Sequence, residues 1–417
     1  MEIKRNTYLN KLIDHRGNGM IKIVTGLRRA GKSYLLLKLF HRRLVEQGFD
    51  PAHLVEIPLD DRSFRHLRDP DMMLAFVKKH VADTGSYLLI IDEVQLLPEF
   101  EDVLNSFLHI PNLDVYVSGS NSRFLSSDVI TEFRGRGDEI RVHPLSFREF
   151  MSVYDGPEDW GWQEYFTFGG MPLVATMSNP TERATYLQAL FKQVYMTDIV
   201  ERNHVRNREE LDILVNILAS AVGSLTNPKK LADAFRSMRG THIAPATLKR
   251  YCGYLEDAFL IARAERYDIK GRKYIGTTPK YYFKDLGLRN AILSFRQTEE
   301  NHLMENVIYN EMRHRGFLVD VGNVIIRVKN EKGEWQRVTL EVDFVCNLGS
   351  RRYYLQSAYR LPDEEKQKQE KRSLEQIKDS FKKIVIVCER MKLRRDENGI
   401  VLMGVYEFLA EPVLLDA

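Results

Sequence analysis

Gly26-Leu27-Arg28-Arg29-Ala30-Gly31-Lys32-Ser33, followed by Tyr34, spells the pattern G-x-x-x-x-G-K-[ST]. It lies directly after the β-rich run Met20-Ile21-Lys22-Ile23-Val24-Thr25 and opens a helical pattern, which is the setting a phosphate-binding loop requires. Glycines let the loop wrap so that successive backbone N–H groups and the positive end of the helix face an anion. Lys32 then reaches the β- and γ-phosphates of a nucleoside triphosphate, and the Ser33 hydroxyl is placed to coordinate Mg²⁺. The expected ligands are therefore ATP and Mg²⁺, held by Gly26 to Tyr34.

A second element supports this reading independently. Leu88-Leu89-Ile90-Ile91-Asp92-Glu93 is an apolar strand ending in two carboxylates, and ligands of such sheets bind at the carboxyl ends of the strands. Asp92 is expected to hold the Mg²⁺ shell and Glu93 to orient and deprotonate the attacking water. A kinase would need no such water-activating acid, so the pair favours hydrolysis. The next strand ends in Val117-Ser118-Gly119-Ser120-Asn121, where Ser118 and Asn121 can touch the γ-phosphate or the water, whereas Ser120 reads as a helix N-cap. Phe133-Arg134-Gly135-Arg136-Gly137 presents two arginines on a glycine-rich loop. Arg136 reads either as an arginine finger offered to a neighbouring subunit's nucleotide or as a surface arginine in a turn.

Outward from these motifs, short β-rich runs alternate with helical patterns from Met20 to about Phe150, the signature of a parallel sheet covered on both faces. The runs begin at Met20, Leu54, Leu88, Asp114 and Glu139. Beyond Trp160 the pattern is helical to about Phe259, and from Arg266 onward short strands mix with helices, ending in Lys383-Ile384-Val385-Ile386-Val387-Cys388. A chain of 417 residues exceeds one core, and the expected division is 1–155, 156–285 and 286–417. The 44% apolar and 29% charged shares are ordinary for a globular protein, and no stretch approaches the ~18 apolar residues of a membrane span. An N-terminus without an apolar signal core predicts a cytoplasmic protein. Cys252, Cys346 and Cys388 are far apart in apolar runs and read as small buried side chains. With 61 basic and 58 acidic residues the net charge argues neither for nor against nucleic acid.

At these residues the chain resembles a bacterial and archaeal family of AAA+ ATPases that carry an uncharacterised C-terminal domain. The strings that carry the resemblance are G-L-R-R-A-G-K-S, I-I-D-E-V-Q, V-S-G-S-N-S, and G-R-G followed by H-P-L-S-F-R-E-F. Two more are F-G-G-M-P at Phe168 to Pro172 and the stretch Lys280 to Leu288. The resemblance implies an α/β P-loop NTPase core with an AAA+ type parallel sheet, Ser118 to Asn121 at the sensor position, and Arg136 as the finger arginine. It also implies a winged-helix-like segment, to which the helices Lys229 to Met238 and Pro245 to Asp257 and the basic loop Lys270-Gly271-Arg272-Lys273 correspond. The last part is similar to a restriction-endonuclease-like α/β fold, with Glu305, Asp343 and Gln356-Ser357-Ala358 at the nuclease positions. Glutamine cannot supply the charge that binds Mg²⁺, and Ala358 cannot stabilise charge as a lysine would, so this domain reads as catalytically inactive.

These readings converge on an ATPase that couples hydrolysis to a conformational change in a C-terminal half that binds DNA or a protein partner, without a membrane role and with a homo-oligomer as one possible assembly. A slow nucleotide-gated switch is the alternative, and an ATP-dependent nuclease the third.

Overall fold

The five β-rich runs of the N-terminal part become strands because β-branched residues recur in them, and the runs Ile21–Gly26 and Tyr87–Asp92 are buried on both faces. The computed structural model describes residues 2–119, 135–239, 243–296, 299–330 and 333–415. Its first five strands are β1 (Ile21–Gly26), β2 (Leu54–Pro58), β3 (Tyr87–Asp92), β4 (Leu113–Ser118) and β5 (Gly137–Val142). They pair in the order β2-β3-β4-β1-β5, all parallel. β1 and β3 are buried at every position. The register sets Val24 beside Ser118 and Ile91 beside Val117, so the loop after β1 and the acids ending β3 emerge at the same edge.

Helix Phe100–Phe107 shows how one face is closed. Phe100, Val103, Leu104 and Phe107 recur at helical spacing and are all buried, packing into the cluster of Ile23, Leu89, Ile91 and Val117. Burying side chains of this size stabilises the fold by roughly 1.5–3 kcal/mol each. Leu104→Ala alone would cost about 2–5 kcal/mol.

The chain divides into two units, Met1–Pro144 with Asp257–Phe259, and Leu145–Glu256 with Leu260–Ala417. The second unit holds an eight-stranded sheet built from β6 (Ile261–Asp268), β7 (Lys273–Phe283), β8 (Leu318–Lys329), β9 (Trp335–Leu348), β10 (Arg351–Ala358), β11 (Lys382–Val387), β12 (Arg394–Arg395) and β13 (Val401–Gly404). Their order is β12-β13-β11-β10-β9-β8-β6-β7. Helix Glu300–His314 buries Leu303, Met304, Val307, Ile308 and Met312, and Leu374 of helix Glu364–Glu375 joins a core cluster with Val342, Tyr354 and Val385.

Two expectations differ from this arrangement. The first boundary falls at 144/145 rather than 155, because Ser146 caps helix Phe147–Met151 in a reciprocal box with Glu149 and the Leu145 N–H donates to the Gly170 carbonyl at 2.7 Å. No boundary falls at 285. The helices Pro228–Arg239 and Pro245–Asp257 form as expected, but the hairpin that follows them is no separate wing: β6 pairs in parallel with β8, which builds β6 and β7 into the C-terminal sheet. The basic stretch Lys270 to Lys273 is the turn of that hairpin and the start of β7.

The strings F-G-G-M-P and K-D-L-G-L meet in space. Asp285 accepts from the Gly170 N–H at 2.7 Å and caps the next helix by accepting from the Leu288 N–H at 2.9 Å. A Cβ on Gly287 would lie 2.0 Å from the Phe168 carbonyl oxygen, so glycine is required there. Among the described residues no helix is long and apolar enough to cross a membrane. Cys252 and Cys346 are buried and free, Cys388 half-buried and free.

Candidate nucleotide site

The loop after β1 is held open by backbone conformations that only certain residues tolerate. Gly26 has φ +133° and a Cβ there would sit 2.0 Å from the Val142 carbonyl oxygen, so the strand ends in glycine because β5 passes too close for any side chain. Arg29 and Gly31 also adopt positive φ, +67° and +93°. Leu27 and Ala30 are buried, and the Ala30 N–H donates to the Leu27 carbonyl at 3.1 Å, which pins the turn beneath. Lys32 opens a helical run that continues without a break through Lys32–Tyr34, a π-helical turn Leu35–Phe40 and His41–Glu46.

Lys32 is buried, and its Nζ donates to the Gly26 and Leu27 carbonyls at 3.0 and 3.2 Å. Burial lowers its pKa to about 8, against the opposing pull of Glu93 and Asp92. A lysine desolvated on its own loop gains its full charge partner only when an anion enters.

Across the edge, Asp92 is 2% exposed and its carboxyl is pushed up by burial while hydrogen bonds from Ser118 and Ser33 hold it down. Ser118 Oγ donates to Asp92 Oδ1 and accepts from the Glu93 N–H at 3.1 Å. Glu93 follows with φ +54°, a left-handed turn that aims the carboxylate off the strand end, and its Oε2 accepts from Gln95 Nε2. Loop, Ser33, Asp92 and Glu93 are thus brought together. The donors suit a divalent cation, a hydroxyl and a carboxylate already paired at one edge.

Other expected residues fare differently. Ser118 is fully buried with its hydroxyl committed to the acids, so it positions Asp92 and Glu93 rather than presenting an oxygen to a phosphate. Asn121, with Ser120 and Arg134, lies outside the described residues. Arg136 is exposed, and its carbonyl accepts from the Ile21 N–H at 2.9 Å, at the start of β1 and β5. It therefore sits at the edge of the sheet opposite the loop, about 17 Å away along a five-residue strand step, and cannot reach the nucleotide of its own chain. Tyr34 is 49% exposed beyond the loop, its hydroxyl 3.5 Å from Glu2. Gln95 ends the I-I-D-E-V-Q string, but its role could not be read there because a glutamine two residues past an acid has no spacing signature.

In the C-terminal unit the nuclease-like positions also converge. Lys280 of β7 donates to Glu305 at 2.8 Å and lies 2.7 Å from Glu341, Tyr282 donates to Glu305 at 2.6 Å, and Asp343 accepts from the Ser357 N–H at 2.7 Å. Gln356 Oε1 faces the Asp343 N–H at 3.4 Å. Burial alone would lower Lys280, but Glu305, Asp343 and Glu341 hold it above its ordinary value. Burial raises Asp343 well above the usual carboxylate range, reinforced by Glu305, whereas Lys280 keeps Glu305 ionised against the cost of its burial. Lys280 reaches these acids from another strand, and sequence spacing could not show it. Among the described residues no group of three or more His, Cys, Asp or Glu is arranged to hold a metal.

Comparison with known proteins bears on the fold that carries the first site. Residues 18–151 match the family model described as an AAA domain, and residues 159–299 match a domain of unknown function, DUF8612. An uncharacterised protein of Haemophilus influenzae is 29% identical over 415 residues, covering 98% of this chain and 99% of that one. One of Methanocaldococcus jannaschii is 25% identical over 375 residues, 86% of this chain and 79% of that one. Among solved structures, the Aeropyrum pernix ORC1 protein in complex with DNA aligns with 13% identity and a TM-score of 0.30 over 72% of this chain and 93% of its own. A DNA polymerase III gamma subunit-related protein of Thermotoga maritima gives 12% and 0.28 over 61% and 77%. TM-scores this low carry no argument. The five-stranded parallel sheet with its glycine loop gives the N-terminal part an α/β P-loop NTPase fold, and residues 18–151 of it are similar to an AAA domain.

Proposed function

We propose that the protein is a Mg²⁺-dependent ATPase whose N-terminal unit hydrolyses ATP to ADP and phosphate and drives a conformational change in the C-terminal unit. The observation that carries this reading is the convergence at one sheet edge of a glycine loop with a desolvated lysine and of two adjacent acids fixed by one buried serine. Lys32 and the loop amides bind the phosphates, Ser33 and Asp92 would hold Mg²⁺, which neutralises developing charge, and Glu93 accepts a proton from water. Arg136, at the opposite edge, could act only on a second copy's nucleotide. Phosphate release measured against Mg-ATP tests the reading: Lys32→Ala should abolish binding, and Glu93→Gln should bind ATP while lowering turnover by about 10²-fold or more. Turnover unchanged in both variants would refute it.

Slow, switch-like turnover is the second reading, favoured by the hydrogen bond from Gln95 to Glu93, which occupies a lone pair of the base. Gln95→Ala should then raise turnover. For the C-terminal unit we propose an inactive restriction-endonuclease-like domain that binds a partner. The Lys280 ammonium already balances the Glu305 and Glu341 charges, and burial disfavours a charged Asp343, which leaves little demand for a divalent cation.

A further inference from the structure

The outer half of the β8–β9 hairpin extends roughly 14 Å past the buried part of the sheet, four rungs at about 3.4 Å. Register pairs Ile325 with Thr339, Arg327 with Arg337 and Lys329 with Trp335, so these six side chains share one face. All six are exposed, and Trp335 is 67% exposed. Two arginines directly opposed on a ribbon repel each other and destabilise it. The acid that continues this face inward, Glu341 opposite Asn323, is paired with Lys280, and neither arginine has an ion pair among the described residues. Lys329 Nζ lies 5.4 Å from the centroid of the Trp335 ring, which sets a cation beside an open aromatic plane. Lys270 Nζ donates to the Ile325 carbonyl at 3.3 Å, which draws the β6–β7 turn, with exposed Arg272 and Lys273, alongside the arm.

Uncompensated cations interleaved with an exposed indole are suited to a polyanion that also offers flat rings. We propose that this arm binds single-stranded nucleic acid, with Arg327, Arg337 and Lys329 on phosphates and Trp335 stacked on a base. A duplex could satisfy the cations but would leave the indole without an unpaired base, and a lipid surface would ask for more apolar area than Ile325 and Trp335 offer. The inference deepens the proposed function by naming the partner class of the C-terminal unit, and its test needs no hydrolysis.

Fluorescence anisotropy of the full-length chain with labelled oligothymidylate and oligouridylate of about 20 nucleotides, a duplex of equal length and anionic phosphatidylserine vesicles would decide it, with the two oligonucleotides separating DNA from RNA as the source of the strand. Both outcomes between those two support the arm as the site. Arg327→Gln with Arg337→Gln should lower the slope of log affinity against log salt by about 1.4, two single-strand phosphates at about 0.7 each. Trp335→Ala should weaken binding on the order of tenfold at every salt concentration, and base stacking should quench the part of the tryptophan fluorescence that Trp335→Ala removes. Each variant's circular dichroism and ATP affinity should match the parent, which separates failure of the arm from failure of the nucleotide site. Binding unchanged in the arm variants, preference for the duplex, binding to vesicles in place of oligonucleotides, or no binding at all would overturn the proposal.

Discussion

Ser118→Ala is the perturbation that separates holding the phosphates from holding the acids. The hydroxyl makes two bonds in a fully buried place, one donated to the Asp92 carboxylate and one accepted from the Glu93 N–H. A hydrogen bond to a charged group contributes about 1.5–3 kcal/mol, and a buried N–H left without an acceptor costs about 1–3 kcal/mol. After partial relaxation, about 3 kcal/mol should be shared between folding and the placement of Glu93. If half falls on placement, turnover drops roughly tenfold, at 1.36 kcal/mol per decade. The other half should lower the melting temperature by about 3–6 °C for a unit of this size. ATP affinity should stay within about threefold, because the Gly26 to Lys32 cradle does not touch Ser118. A second signature is a pH shift. Burial already raises Asp92 and the Ser118 hydroxyl restrains it, so removing the hydroxyl moves the carboxyl further up and the acidic limb of the rate profile to higher pH. Steady-state phosphate release across pH, beside a thermal melt, measures both. A variant whose turnover, acidic limb and melting temperature all coincide with the parent would refute the view that Ser118 organises the acids.

Three further outcomes follow from other contacts. With Lys32 at about pKa 8 in the free site, its charged fraction falls as pH rises through 8, so ATP affinity should decline there and binding should take up a proton between about pH 8 and 9. Calorimetry in buffers of different ionisation enthalpy reads that uptake directly, and no buffer dependence would count against a desolvated lysine. Gly26→Ala drives a Cβ to 2.0 Å from the Val142 oxygen and should cost more than about 3 kcal/mol in chemical denaturation while abolishing ATP binding. The Asp285 carboxyl is raised by burial to about 6 despite its backbone hydrogen bonds, so its contribution is present below about pH 4 and is lost as pH rises through 6. Asp285→Asn removes that charge but sets an NH₂ against a backbone donor, and should destabilise by about 1–3 kcal/mol at neutral pH; a more stable variant there would show that desolvation outweighs the bonds.

Much of the first site was legible because its chemistry depends on local order. Eight consecutive residues make the loop, and four apolar residues followed by two acids make the strand end, so period and spacing alone locate them. Ser118 was legible as a position but not as a role. Its place at the end of β4 follows from the strand pattern, whereas the direction of its hydroxyl depends on the lateral register of β3 and β4, which no string of residues encodes. The side of the sheet on which Arg136 lies was not legible for the complementary reason, since a basic glycine turn looks the same at either end of a parallel sheet, and only the pairing of Ile21 with Gly137 assigns it.

The C-terminal unit marks the limit of reading by spacing. Lys280 stands 25 residues before Glu305 and 63 before Asp343 in the chain, yet its amine touches Glu305 at 2.8 Å and Glu341 at 2.7 Å. That proximity exists because β6 and β7 insert beside β8 as the last two strands of the sheet. A hairpin read as a free wing has no reason to contribute a lysine to a distant acid, whereas one built into the sheet edge must bury whatever faces the helix Glu300–His314. The same argument explains Gly170 and Gly287, which look like ordinary turn glycines. They are small because a main-chain oxygen passes within 2.3 Å of one missing side chain and 2.0 Å of the other, so that Asp285 can hold two segments 115 residues apart. In both cases the residue type is dictated by a partner far away in sequence, and the fold supplies the half of the pattern that the local string lacks.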